Sequence, residues 1–442
     1  MSRIKPEQFM ITYNEEFGVI YASEKGKIKT TTTRHAKAME ECLHQYFTGN
    51  LSNEDAEKME GYMEDSFREF GDLPVEAVPS VLERKVLRRI ELLVVNDCNL
   101  NCKYCYAHGG DYGMQTQRMR PEDAVMYLRN LAVGKYHYVE IVTFFGGEPT
   151  MCPDTIQQVC EFFEVCVREG IFEAMPVFLM VSNGTLINEK MAQIIHKYNI
   201  GVTVSVDGPQ DINDLLRVDK GENGSFARIA QGIENLISIG TPPILLEATY
   251  TTRHKEMGYT KEKIRRYLVD RFQVKQVMVA DCTSGGSDQQ LVYNDWDIHT
   301  GENGEVMAEE VKYALNCLRR EVISPIGCDA GFGSILLMPN GDIYPCHSFV
   351  GHVEYKIAEF QEGHFDFSAY EAVLLKLIDV GKFHNARCRD CWAKAVCFSC
   401  PGQMLLENNT ECINASCHTR REAQKYALLK CAENALKRKE VK

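Results

Sequence analysis

Along residues 7–32, apolar and polar positions alternate as in short strands, through FMITY, GVIYAS and KIKTTTT. Asn14 to Gly18 and Lys25-Gly26 supply turn material between them. The period then lengthens. Ala36, Met39, Leu43 and Tyr46/Phe47 fall on one face of a helix. Ser52, with Asp55 three residues on, predicts the capped start of a second helix that buries Ala56, Met59, Met63 and Phe67. The stretch DLPVEAVPS at 72–80 reads as a linker. Residues 1–80 are therefore expected to form a small α+β module with its linker.

From about Ile90 the pattern becomes apolar strands separated by amphipathic helices. Six strands are predicted: 91–95, 139–145, 177–182, 201–206, 244–250 and 275–280. Continuous apolar strands of this kind imply a parallel sheet covered on both faces. The fold class is α/β, and six such units suffice for a partial (β/α)6 TIM-like barrel, whose chemistry would gather where the strands end. Polar or glycine-rich motifs stand at four of those ends. Asp-Cys-Asn follows the first strand and Gly146-Gly147-Glu148-Pro149 the second. Ser182-Asn183-Gly184-Thr185 follows the third and Asp207-Gly208-Pro209 the fourth. The barrel is expected over 81–320. Residues 321–442 are poor in long helices until a charged amphipathic one at roughly 418–438.

Composition narrows the chemistry. A net charge of −13 argues against charge-driven nucleic-acid binding. No stretch approaches a membrane span, and the polar N-terminus lacks an apolar export core, so a cytoplasmic protein is expected. Against that expectation, 18 cysteines point to metal, cluster or redox chemistry rather than disulfides. Cys42, Cys152, Cys160, Cys166, Cys282, Cys317 and Cys431 are scattered and read as small core residues. The others form two groups.

Cys98, Cys102 and Cys105 stand in DCNLNCKYCYAHGG. Three thiolates on one loop can bind three irons of a cubane and leave the fourth open. A zinc site completed by His108 is the simpler alternative. Cys328, Cys346, Cys388, Cys391, Cys397, Cys400, Cys412 and Cys417 make the second group, for which a pair of structural zinc sites is the bland reading.

The cysteine spacing, with Tyr104 and the strand-end motifs in order, resembles the radical S-adenosylmethionine superfamily. The resemblance implies that Cys98, Cys102 and Cys105 hold a 4Fe–4S cluster whose open iron chelates S-adenosylmethionine. It implies that Gly146, Gly147 and Glu148 meet the methionine ammonium, as a carboxylate after two close-packing glycines would. Ser182 and Asn183 would lie near the cofactor, Ser205 and Asp207 near its ribose and carboxylate, and Arg217 at the carboxylate. A turn or a surface ion pair is the plain alternative for these last five.

The C-terminal spacing resembles the SPASM domain, which holds two auxiliary 4Fe–4S clusters. This implies Cys388, Cys391, Cys397 and Cys417 around a distal cluster, and Cys328, Cys346 and Cys400 around a nearer one. Cys412 competes with Cys417 for the closing position. Two departures stand out: only two residues separate Cys397 from Cys400, and no cysteine lies between Gly331 and Met338. The nearer cluster is thus expected to have three protein thiolates and room for a substrate thiolate. His347 is a candidate proton acceptor there, or a hydrogen-bond partner in the surroundings of the cluster.

The N-terminal module resembles the winged-helix-like RiPP recognition element, which takes a leader peptide as an added strand; a dimerisation or structural cap is the alternative. Taken whole, the chain resembles maturases that install thioether crosslinks in a ribosomally made precursor peptide, of the ranthipeptide and sactipeptide kind. The AHGGDYG run after Cys105 points to the ranthipeptide and quinohemoprotein-maturase branch. Such enzymes imply an electron donor such as flavodoxin or ferredoxin. Formylglycine-generating sulfatase maturases, carbon–carbon crosslinking maturases and a non-catalytic zinc-dependent peptide binder are the rivals.

Overall fold

The computed structural model describes residues 4–5, 7–77, 87–282, 288–293, 309–406 and 410–440. The end of the expected linker, 78–80, and the side chain of Cys412 lie outside the described residues.

The N-terminal strands are β1 (Phe9–Tyr13), β2 (Gly18–Ala22) and β3 (Lys27–Thr31), an antiparallel sheet in that order. Helix α1 (Thr33–Phe47) starts at Thr32, whose hydroxyl accepts from the His35 N–H. Helix α2 (Asn53–Ser66) starts at Ser52, which accepts from the Asp55 N–H at 3.2 Å. These caps satisfy N–H groups that a first turn leaves open. The expected apolar stripes are buried, except that Tyr46 packs inward while Phe47 stays exposed and Ala56 is only partly covered.

The opposite face of this sheet is covered too. Phe17, Val19 and Tyr21 pack against Trp392, Val396 and the Ala423, Ala427 and Leu428 side of a long C-terminal helix. Every residue of β2 is consequently buried. The segment leading out of the module is pinned as well, since the Glu76 N–H donates to the Ile323 carbonyl and the Ile323 N–H to Pro74.

The six expected barrel strands form in order. They are β4 (Leu87–Val95), β5 (Val139–Gly146), β6 (Val177–Ser182), β7 (Gly201–Ser205), β8 (Leu245–Tyr250) and β9 (Val277–Asp281), all parallel. Alternation within each strand divides two layers. Ile90, Leu92 and Val94 pack outward against helices, as do Val142 and Phe144. The helices between the strands are α3 (Pro121–Leu128), α4 (Pro153–Arg168), α5 (Glu189–Lys197), α6 (Gln210–Leu216), α7 (Phe226–Ser238) and α8 (Thr252–Glu256) with α9 (Lys261–Phe272).

The sheet does not stop at β4. Strand β10 (Ser334–Leu337) pairs parallel to it, Leu92 opposite Leu337, and β11 (Ile343–Tyr344) extends the sheet to eight strands. The expected boundary at 320 is therefore crossed by the barrel's own sheet, because β4 would otherwise leave its backbone groups unpaired. Leu93 packs with Leu336, Phe349 and Leu374 in a core shared by both parts. After helix α10 (Glu309–Cys317) the C-terminal part carries a small hairpin of β12 (Glu359–Gln361) and β13 (His364–Asp366). It then carries helices α11 (Tyr370–Asp379), α12 (Ala386–Arg389), α13 (Pro401–Leu406) and α14 (Thr410–Glu440). Among the described residues no helix is long and apolar enough to cross a membrane.

Candidate functional site

The four strand-end motifs meet on one rim. The Gly147 N–H donates to the Val95 carbonyl at 2.9 Å, and the Glu148 N–H donates to that of Asp97 at 3.0 Å, laying the glycine motif along the loop that carries Cys98. A methyl group on Gly147 would lie 2.2 Å from the Asp97 carbonyl oxygen, so only glycine permits this approach.

Glu148 is fully buried. Its Oε1 accepts from the Ser182 hydroxyl at 2.8 Å and from the Thr150 N–H at 3.1 Å, and its Oε2 accepts from the Asn183 N–H at 2.7 Å. Burial nevertheless raises its pKa above the ordinary carboxylate value, against these hydrogen bonds. The Thr150 hydroxyl donates to Oε1 as well; the four donors leave lone-pair capacity on Oε2, and a cation placed there would relieve the burial of the charge.

Asp207 is a second hub. The Tyr104 hydroxyl donates to its Oδ2 at 2.6 Å and the Thr249 N–H to its Oδ1 at 3.0 Å, while Arg217 Nε lies 3.1 Å from Oδ1. The Arg217 guanidinium also sits over the Tyr104 ring at 5.5 Å. Burial opposes its charge most strongly, but Asp207, Tyr104 and Cys102 together outweigh burial and hold the arginine above its ordinary pKa. This is a buried ion pair rather than a surface one. Ser205 ends β7 opposite Glu247 of β8.

The thiols fall into three groups. In the first, burial pushes Cys98 and Cys102 up to about 12, and Cys105 is close enough to affect both. Donors are aimed at the sulfurs. The Leu100 N–H reaches Cys98 Sγ at 3.4 Å, Asn183 Nδ2 reaches it at 3.6 Å, and Arg217 Nη1 lies 4.0 Å from Cys102 Sγ. Such donors gain most when the sulfur is an anion, and metal ligation supplies thiolates where burial alone forbids them. The residues therefore fit a metal cluster. Exposed His108 stands with positive φ in the turn beyond Cys105.

In the second group, burial pushes Cys328 and Cys346 up to about 12, and each feels Cys400. In the third, burial raises Cys388 to about 11, with Cys397, Cys417 and Cys391 adding to the effect. Among the described residues no group of three or more Cys, His, Asp or Glu side chains is placed to hold a single metal ion. Cys152, Cys160, Cys166 and Cys282 are buried in apolar cores.

His347 Nδ1 lies 3.4 Å from Glu91 Oε2, and its ring packs 5.4 Å from Phe145 and 6.2 Å from Tyr106. Glu91 was not anticipated from sequence, nor was Glu247. A carboxylate inside an otherwise apolar barrel strand, as in ELLVV and ILLEATY, was the available signal. Glu247 faces away from the outer core, and burial raises its pKa.

Residues 92–258 match the model described as Radical SAM superfamily. The radical SAM cyclopropyl synthase TigE of Paramaledivibacter caminithermalis is 32% identical over 28% of this chain and 28% of its own length. A cysteine-type anaerobic sulfatase-maturating enzyme of Clostridium novyi is 25% identical over 67% of this chain and 82% of its own. The match spans less than two thirds of several curated relatives, 61% in one case. The solved structure of native anSMEcpe with bound AdoMet and Cp18Cys peptide superposes with a TM-score of 0.60 at 18% identity, covering 80% of this chain and 99% of that one. At that identity the likeness establishes the shared fold.

Proposed function

From the premise that residues 92–258 are a radical S-adenosylmethionine domain, we propose that the chain is a peptide maturase that joins a cysteine sulfur to a carbon of a precursor peptide. Cys98, Cys102 and Cys105 would hold the 4Fe–4S cluster that binds S-adenosylmethionine. Glu148 would pair with the cofactor's ammonium through its remaining lone pairs. Cys328, Cys346 and Cys400 would hold the nearer auxiliary cluster, and Cys388, Cys391, Cys397 and Cys417 the distal one. When bound, the reduced cluster and S-adenosylmethionine supply a 5′-deoxyadenosyl radical that removes a hydrogen atom from an unactivated C–H.

The observation that carries the thioether reading is the three-thiol set at Cys328, Cys346 and Cys400, among the described residues one ligand short of four irons. A peptide cysteine can fill that position. His347, tethered to Glu91, stands beside Cys346 to accept the proton that such a thiol releases. Thioether formation then removes two hydrogens, one as an atom to 5′-deoxyadenosine and one as a proton with an electron left over. Support for a peptide substrate comes from the N-terminal sheet. Among the described residues its edge strand β3 has a strand neighbour on one side only, which suits strand addition by a leader. The peptide bound in the similar anSMEcpe structure supports it too.

A formylglycine-generating reaction is the second reading, favoured by the similarity to the Clostridium novyi enzyme. Mass spectrometry of a precursor peptide co-expressed with the enzyme separates the two. A thioether lowers the mass by two hydrogens per crosslink and blocks alkylation of that cysteine. Conversion of the cysteine to an aldehyde, or a modified peptide whose cysteines all alkylate, overturns the thioether reading.

A further inference from the structure

The surroundings of the two auxiliary thiol groups carry opposite charge. Beside the nearer group stand carboxylates: Asp329, ion-paired with Arg88, is close enough to Cys328, and Glu91, in contact with His347, to Cys346, to raise the thiol pKa values. Beside the distal group stand cations and amide donors. Lys382 is 1% exposed, and among the described residues no carboxylate pairs with it. Its ammonium donates to the Tyr313 hydroxyl at 3.2 Å and lies 5.2 Å from the centre of that ring. Tyr313 in turn packs edge-to-face on Phe398, the neighbour of Cys397, at 5.4 Å. Arg420 is buried within reach of Cys388 and Cys397. Gln424 is fully buried, and among the described residues the one group its amide is placed to serve is Cys397, whose thiolate it favours.

A buried ammonium without an anion is costly, and a buried amide without partners is too. Burial disfavours the charge of Lys382, and the groups that oppose this are the sulfurs of Cys317, Cys397 and Cys388. Cys317 belongs to no cluster, but Cys397 and Cys388 are proposed ligands, and as iron-bound thiolates they offer the ammonium the negative charge that neutral thiols lack. Four thiolates on a cubane carry net negative charge, which grows by one on reduction, so a fixed cation nearby favours the reduced state.

We infer that Lys382 is the counter-charge of the distal cluster and, with Arg420 and Gln424, raises that cluster's reduction potential above that of the carboxylate-flanked nearer one. Lys382 is a positioning residue in this scheme, since it acts through the cluster. The electron left when the peptide radical closes onto sulfur then runs downhill, from the nearer cluster to the distal one and out to an external acceptor. The inference rests on the assignment of cluster ligands proposed above.

The test is an EPR-monitored redox titration of the full-length protein, reconstituted anaerobically, with iron and sulfide counted in each sample. The distal signal is the one lost in Cys388→Ala. In Lys382→Met it should move to lower potential with iron content kept and the other clusters unmoved, and Lys382→Arg should restore it. Gln424→Leu, which leaves the lysine in place, should shift it the same way by less and serves if Lys382→Met does not load. An unmoved distal potential in a loaded Lys382→Met or Gln424→Leu protein overturns the inference, as does an equal drop in Lys382→Arg. Failure of the ligand assignment looks different: Cys388→Ala would then lose no iron.

Discussion

Gly147 shows how little slack the cluster loop has. A β-carbon there would sit 2.4 Å from the Asp97 carbonyl carbon and 2.8 Å from the Cys98 nitrogen, so the backbone before the first thiol must move. Gly147→Ala is expected to leave the protein folded while iron bound at this loop and 5′-deoxyadenosine production both fall by at least tenfold. Anaerobic iron analysis and product chromatography check this. The Arg217–Asp207 pair makes a different kind of demand. Removing one partner strands a buried charge, at a cost of about 3–5 kcal/mol. Arg217→Met should therefore lower the thermal midpoint of the metal-free protein markedly, whereas Tyr104→Phe, which removes one hydrogen bond, costs about 1–2 kcal/mol. Equal midpoints for the two variants would count against the ion pair.

The elements that periodicity could announce are those that bury one stripe or one face. The two N-terminal helices, the three short strands and the six barrel strands were all legible for that reason, as were the glycine and cysteine motifs at the strand ends. Strand β10 was not, because four residues beside a cysteine-rich stretch carry no period of their own; its register comes from the unpaired edge of β4. Glu91 and His347 belong to segments 256 residues apart, and nothing local marks them as neighbours. The double coverage of β2 was equally hidden: its residues read as a strand, but not as one whose far face meets α14. Tyr21 is the test of that packing. It is fully buried and packs edge-to-face on Trp392 at 6.4 Å. Tyr21→Ala should cost about 3–5 kcal/mol, and hydrogen exchange should speed up in α14 as well as in the N-terminal sheet. Faster exchange confined to the sheet would show the two to be uncoupled.

At the scale of the whole molecule, three thiol groups imply about twelve irons per chain if each holds a cubane. Cys388→Ala combined with Cys391→Ala should remove about four of them and spare 5′-deoxyadenosine formation, since the first loop is untouched. A triple replacement of Cys98, Cys102 and Cys105 by alanine should abolish 5′-deoxyadenosine while keeping the auxiliary iron. Loss of all iron in either variant would mean that the groups load as one unit. The pairing of β4 with β10 has a bearing on synthesis as well. Residue 92 leaves the ribosome long before residue 337, its partner across the sheet. At about 5–20 residues per second, the raw side of the opening strand waits roughly 10–50 s for its cover. During that interval the nascent chain offers a hydrophobic, unsatisfied ribbon to any neighbour, so holding by a chaperone during translation should govern how much protein accumulates in cells.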